Sequence, residues 1–178
     1  MYARVPTAKA RFSDNDMRGR IQMNGLITGA VAGLVATIPM TLAMKAMHSQ
    51  LPAEEKYPLP PRLIVENAED AAGVEEELDE KDEHRLTLAS HFAYGSAAGA
   101  VFGAAMNAMD VKPNAANGVA YGLGVWTASY IGLLPALGLL APATEHPARR
   151  NALMIAAHVV WGASLGWTAA RLNNYGEE

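Results

Sequence analysis

The chain has no cysteine among its 178 residues, which excludes a disulfide framework, an Fe–S cluster and a thiol nucleophile. Aromatic residues are also scarce at 7%, yet hydrophobic residues reach 51%, so the apolar content rests on small and aliphatic side chains beside 16 glycines. That balance is unusual for a water-soluble core. Charge is nearly missing from four stretches of about 20 residues, the length that matches bilayer hydrocarbon. Twelve of the 18 acidic residues instead crowd between Glu54 and Glu83. A mean hydropathy of +0.04 averages over this division and hides it. The net charge of −4 gives no attraction for nucleic acid. Ser-His-Asp spacing, a glycine-rich phosphate loop followed by Lys and a His-Glu-x-x-His motif are all missing. Intramembrane charge is too sparse for an ion-coupled transporter or proton pump.

The four uncharged stretches predict an all-α integral membrane four-helix bundle with spans at about 24–47, 86–109, 117–140 and 151–171. The competing reading is a soluble helical bundle, because spans 2 and 4 are rich in Ala and Gly and are the weakest on an insertion scale. A polar, basic segment precedes the first span at 1–23, with Arg4, Lys9, Arg11, Arg18 and Arg20. Within it, Ser13-Asp14-Asn15-Asp16 predicts a cap for a short surface helix over 17–23. The first span is long and lacks a small-residue cleavage site, so it reads as an anchor.

The loop 48–85 opens on Tyr57-Pro58-Leu59-Pro60-Pro61-Arg62, whose prolines favour a stiff, extended entry. An amphipathic helix is expected from Leu63 to Ala72, stopped by Gly73. The acidic run from Glu75 to Glu83 reads as a solvated extension of span 2. Residues 172–178 form a tail.

What the chain does have is glycine in a four-residue rhythm: Gly25, Gly29 and Gly33 in span 1, then Gly95, Gly99 and Gly103 in span 2. Gly118 with Gly122, and Gly162 with Gly166, extend it to spans 3 and 4. Such small-residue faces let helix backbones approach closely in lipid. Two stretches also share one pattern of His, aromatic and glycines: His91-Phe92-Ala93-Tyr94-Gly95 and His158-Val159-Val160-Trp161-Gly162. With Asn24-Gly25, Asn117-Gly118, Pro39 and Pro135 recurring in the same order, the chain reads as two tandem helix hairpins. A two-helix unit places the second copy in the same orientation, giving a pseudo-twofold along the membrane normal. His91 and His158 then share one depth, each about 10 Å into its helix at 1.5 Å per residue.

The run from Gly25 to Gly33 leading to Pro58-Leu59-Pro60-Pro61-Arg62, together with His158-Val159-Val160-Trp161, resembles the YagU-like family of uncharacterised bacterial inner-membrane proteins. The resemblance implies a multi-span inner-membrane protein without an established reaction, and it carries over no catalytic residues. The acidic run after Val74 departs from it.

For the two histidines, several roles stand open. Each imidazole is expected to bridge a helix interface, or the pair holds haem b, with Gly95 and Gly162 leaving room for the macrocycle. Copper is the other candidate: Met40, Met44, His48, His91 and His158 supply thioether and imidazole donors suited to Cu(I). A proton relay is the last. A channel lined by Thr37, Thr41, Thr127, Ser129 and Tyr130 lacks a continuous polar path. Pro58, Pro60, Pro61 and Arg62 are a candidate interaction surface. The function expected is that of a non-enzymatic accessory or scaffold subunit in the lipid bilayer, alongside other subunits or copies of itself. The termini are placed on the cytoplasmic side of a bacterial inner membrane, with the alternative of a protein holding haem b or copper.

Overall fold

The computed structural model of the chain describes residues 14–73 and 79–175. Among them the structure is all-α, without a strand. Helix α1 (Asp14–Ser49) runs unbroken through Pro39, so the surface helix expected at 17–23 is its first turns rather than a separate element. Thr37 and Thr41 flank the proline, and their hydroxyls donate to the Gly33 and Thr37 carbonyls at 2.8 and 2.7 Å. A helix in lipid must satisfy its backbone internally, and hydroxyls next to a proline help do so.

Helix α2 (Pro60–Ala72) begins on two prolines, whose missing N–H groups cost nothing in a first helical turn. It ends at Gly73 in the left-handed conformation, φ +66°, which a side chain would resist. Helix α3 (Glu80–Ala108) starts where the Asp79 carboxylate accepts the Lys81 and Asp82 N–H groups. The part of the expected acidic extension at 74–78 lies outside the described residues.

Helix α4 (Ala115–Thr127) starts on a reciprocal cap between Asn114 and Asn117. It passes into a π-helical turn (Ala128–Leu133) and a last short turn, α5 (Leu134–Ala136), which carries Pro135. Widening to a π turn is one way a helix accommodates a proline whose ring crowds the preceding turn. Helix α6 (Ala148–Tyr175) completes the fold.

Among the described residues, three helical stretches are long and apolar enough to cross a membrane: Gly25–Ser49, Ala115–Ala136 and Ala148–Asn174. The second expected span, in α3, is not among them. Its Ala, Gly and Ser content explains this, since small residues carry little hydropathy.

The glycines determine which helices touch. A Cβ added at Gly33 would run into the Gly95 carbonyl, at Gly29 into Gly99, and at Gly103 into Gly25. This order, rising on one helix and falling on the other, makes α1 and α3 antiparallel and in backbone contact over more than two turns. Gly118 meets the Gly162 carbonyl, and Gly166 meets Asn114, so α4 and α6 pair in the same sense. A second stripe on α1, Ala32, Ala36, Met40 and Met44, shares one buried core with Ala157, Trp161, Leu165 and Ala169 of α6.

The outward side of α1 is apolar too, with Val35, Ile38 and Leu42 at 42%, 51% and 62% exposure. Apolar residues all round a helix mark one that meets core on one side and lipid on the other.

Candidate functional site

Between α1, α3, the π turn and α6 lies an inner cavity of about 240 Å³, closed at one end by α2. His91 and His158 both line it, as do Met40 and Met44. The shared four-residue spacing of Met40 and Met44 puts both on one face of α1. His91 comes from α3 on the other side.

The two imidazoles are held differently. His158, 5% exposed, approaches the Met154 carbonyl through Nδ1 at 2.8 Å, one turn back on its own helix. Only a protonated Nδ1 can donate to a carbonyl, so in the neutral ring Nε2 carries the lone pair. Its ring meets Tyr130 edge-on at 5.8 Å. Tyr130 in turn donates its hydroxyl to the Met154 sulfur at 3.4 Å. His91 has a buried Nε2 without a hydrogen-bond partner among the described residues. The indole N–H of Trp161, another lining residue, is also buried and unmatched. Each such group costs about 1–3 kcal/mol in a dry interior unless something satisfies it. The expected bridging of helix interfaces by each imidazole is therefore not what the structure shows.

The π turn delivers Ser129 and Tyr130 to the cavity, and neither was legible as a site residue beyond its polarity. Across from it, the Tyr94 hydroxyl pairs with Ser129 Oγ at 2.8 Å, joining α3 to the π turn. Tyr94 lies between the two, 50% exposed and yet part of the cavity wall. Pro135, one turn beyond, was the available signal for a local departure from α-helix.

An outer cavity of about 220 Å³ adjoins the first and shares Met44, Pro61 and His91 with it. Its mouth is charged, with Lys45, Arg62, Glu80 and Glu83. Arg62 reaches Glu66 at 2.8 Å on its own helix and Glu83 at 2.7 Å on α3, fastening α2 over the opening. Hydrogen bonding to Glu66, then the charge of Glu83, raises its pKa above the ordinary value. Arg62 itself is exposed, so these pairs hold the lid only weakly.

Arg150 makes the stronger attachment. Its guanidinium is buried and donates to the Glu55, Tyr57 and Pro58 carbonyls at 2.9, 3.0 and 2.9 Å. His48 Nε2 donates to the same Tyr57 carbonyl at 3.1 Å, and the Tyr57 hydroxyl pairs with His146 Nδ1 at 3.2 Å. His48 is thus part of the loop anchor, away from the inner cavity, although the sequence groups it with Met40 and Met44. The proline run divides as well. Pro58 and Arg62 are exposed, Pro60 is buried and Pro61 turns into both cavities.

The lining does not fit haem b. Gly95 is occupied by Thr37, whose Oγ1 an added Cβ would overlap, and Gly162 by the Gly118 backbone. Neither glycine leaves a slot for a flat macrocycle, and 240 Å³ falls below the ~300 Å³ at which pockets for larger organic ligands begin. Haem b does not fit. For copper the donor types are right in Met40, Met44, His91 and His158. Among the described residues no group of three or more His, Asp or Glu is placed to hold a metal.

Neither the curated proteins nor the solved structures include a match to the chain. A family model does match residues 49–167, from the last residue of α1 well into α6, and the chain belongs to that family, the proteins of unknown function DUF1440.

Proposed function

We propose that the chain is a four-span membrane protein serving, without catalysis of its own, as an accessory or scaffold subunit of a membrane assembly. The observation that carries the span count is the glycine seam between α1 and α3. Gly33 faces Gly95 and Gly25 faces Gly103, so α3 lies in backbone contact with a candidate span from Gly95 to Gly103. A helix in backbone contact with a spanning helix over that distance crosses with it. Pairing of α1 with α3 and of α4 with α6 supports two hairpin repeats about an axis along the membrane normal. The apolar outer face of α1, unpartnered among the described residues, suits lipid and a neighbouring subunit or second copy. Likeness to YagU-like proteins supports a bacterial inner membrane, with the termini on the cytoplasmic side.

The absence of native cysteine makes the topology directly testable. Cysteine introduced at Glu54 and, separately, at Asp110 is labelled in intact spheroplasts with a membrane-impermeant maleimide. Four spans require the two sites to react from opposite sides; labelling from the same side removes α3 as a span. For the accessory role, the solubilised protein is expected to migrate in a larger assembly on native gels, and a stable monomer from mild detergent speaks against it.

A further inference from the structure

The inner cavity has three properties that together specify a ligand class. The first is size. A dry 150 Å³ cavity is enough for benzene, so about 240 Å³ accepts one ring with a few substituents and nothing much larger. The second is polarity. The lining is mostly apolar, but three of its residues carry nitrogens open to a further partner: Trp161 a buried, unmatched N–H, His91 a buried, unmatched Nε2 that takes either role by tautomer, and His158 a lone pair at Nε2. A hydroxyl group, which donates one hydrogen bond and accepts others, answers all of these, whereas a hydrocarbon answers none.

The third property is access. Ser90 and Tyr94 are wall residues of the cavity and are exposed on the outer surface of α3. There α3 is joined to the π turn by the Tyr94–Ser129 hydrogen bond. The cavity therefore approaches the lateral surface behind a single polar strap, while its other end leads through Pro61 and His91 to a charged mouth. A ring molecule dissolved in the bilayer meets the lateral side.

We propose that this cavity binds a lipid-soluble single-ring molecule bearing a hydroxyl group, a phenol or quinol, which enters past the Tyr94–Ser129 strap and places its hydroxyl among His91, His158 and Trp161. Lateral entry rests on the membrane reading above; the binding chemistry does not.

The test uses three probes of one shape on the full-length purified chain, with calorimetry as the readout: tetramethylhydroquinone kept reduced, tetramethylbenzoquinone, and 1,2,4,5-tetramethylbenzene. Expected is the order hydroquinone, quinone, hydrocarbon, with at least a tenfold gap between first and last. His158→Leu and Trp161→Phe should each close most of that gap while leaving hydrocarbon binding unchanged. Should either variant fail to fold, Tyr94→Phe still decides: faster release of the hydroquinone at similar affinity is expected, and an unchanged release rate overturns the portal. Equal binding of hydroquinone and hydrocarbon overturns the proposal, as does no binding at millimolar probe. Tight Cu(I) binding that displaces the hydroquinone overturns it in favour of a metal. A chain that remains in the supernatant without detergent removes the membrane reading, and the order of the three probes can still be read on it.

Discussion

The Arg150 guanidinium lies 3.5 Å from the centre of the Tyr57 ring, stacked on its face. Ninety-three residues apart in sequence, the two are joined again by the bond from Arg150 to the Tyr57 carbonyl at 3.0 Å. A planar guanidinium can stack and fork at once, and an ammonium cannot.

Arg150→Lys should therefore behave as a loss rather than a conservative change. Hydrogen bonds from a charged donor contribute about 1.5–3 kcal/mol, and a comparable drop in stability is expected. Limited proteolysis should show new cleavage near residues 50–60. If the cleavage pattern is unchanged, the anchor does not hold the loop.

Glycines at the helix seams should resist even alanine. A Cβ at Gly99 would stand 2.7 Å from the Gly33 Cα, backbone that has nowhere to move. Gly99→Ala is expected to cost about 1–3 kcal/mol, the usual range for overpacking. At Gly124 the same change meets nothing within 4 Å and should leave unfolding in detergent untouched or slightly improved. Equal effects at both sites would dismiss the seam.

Ile38 distinguishes lipid from water as the solvent around α1. It is 51% exposed on the face away from the core. Replacing it with Lys in a bilayer costs about 2.5–3.5 kcal/mol of insertion free energy, so the inserted fraction should fall sharply in a glycosylation-mapping assay. In water the same change would raise solubility, and that outcome would contradict a membrane-exposed α1.

For His158 the geometry requires the neutral ring to carry its proton on Nδ1, because the Met154 carbonyl has only lone pairs to offer. Nitrogen NMR on histidine-labelled protein, assigned by loss of one signal in His158→Asn, should find Nε2 as the unprotonated nitrogen. A proton on Nε2 would mean that the ring is not bound to Met154.

Much of this was readable along the chain because it depends on local composition. Four uncharged stretches became long helical runs, and Gly73 ended α2 as its lack of a Cβ predicts. Glycines four apart came out on buried helix faces, since 3.6 residues per turn aligns them whatever the partner. His91 and His158, alike in pattern, face one cavity. The weak span signal of α3 was legible too, because its Ala and Gly content lowers its hydropathy, but that those glycines meet α1 was not.

The amino-acid order thus determined the helices, their stops and the small-residue faces, all effects of near neighbours on one backbone. Only the tertiary structure decided which face meets which: that Arg150 clamps the Tyr57 loop, that the π turn before Pro135 presents Ser129 and Tyr130 inward, and that His158 bonds its own helix while the His91 Nε2 stays unpaired. Those outcomes depend on carbonyls, cavities and distances between segments far apart in the chain, and no periodicity along a single helix encodes them.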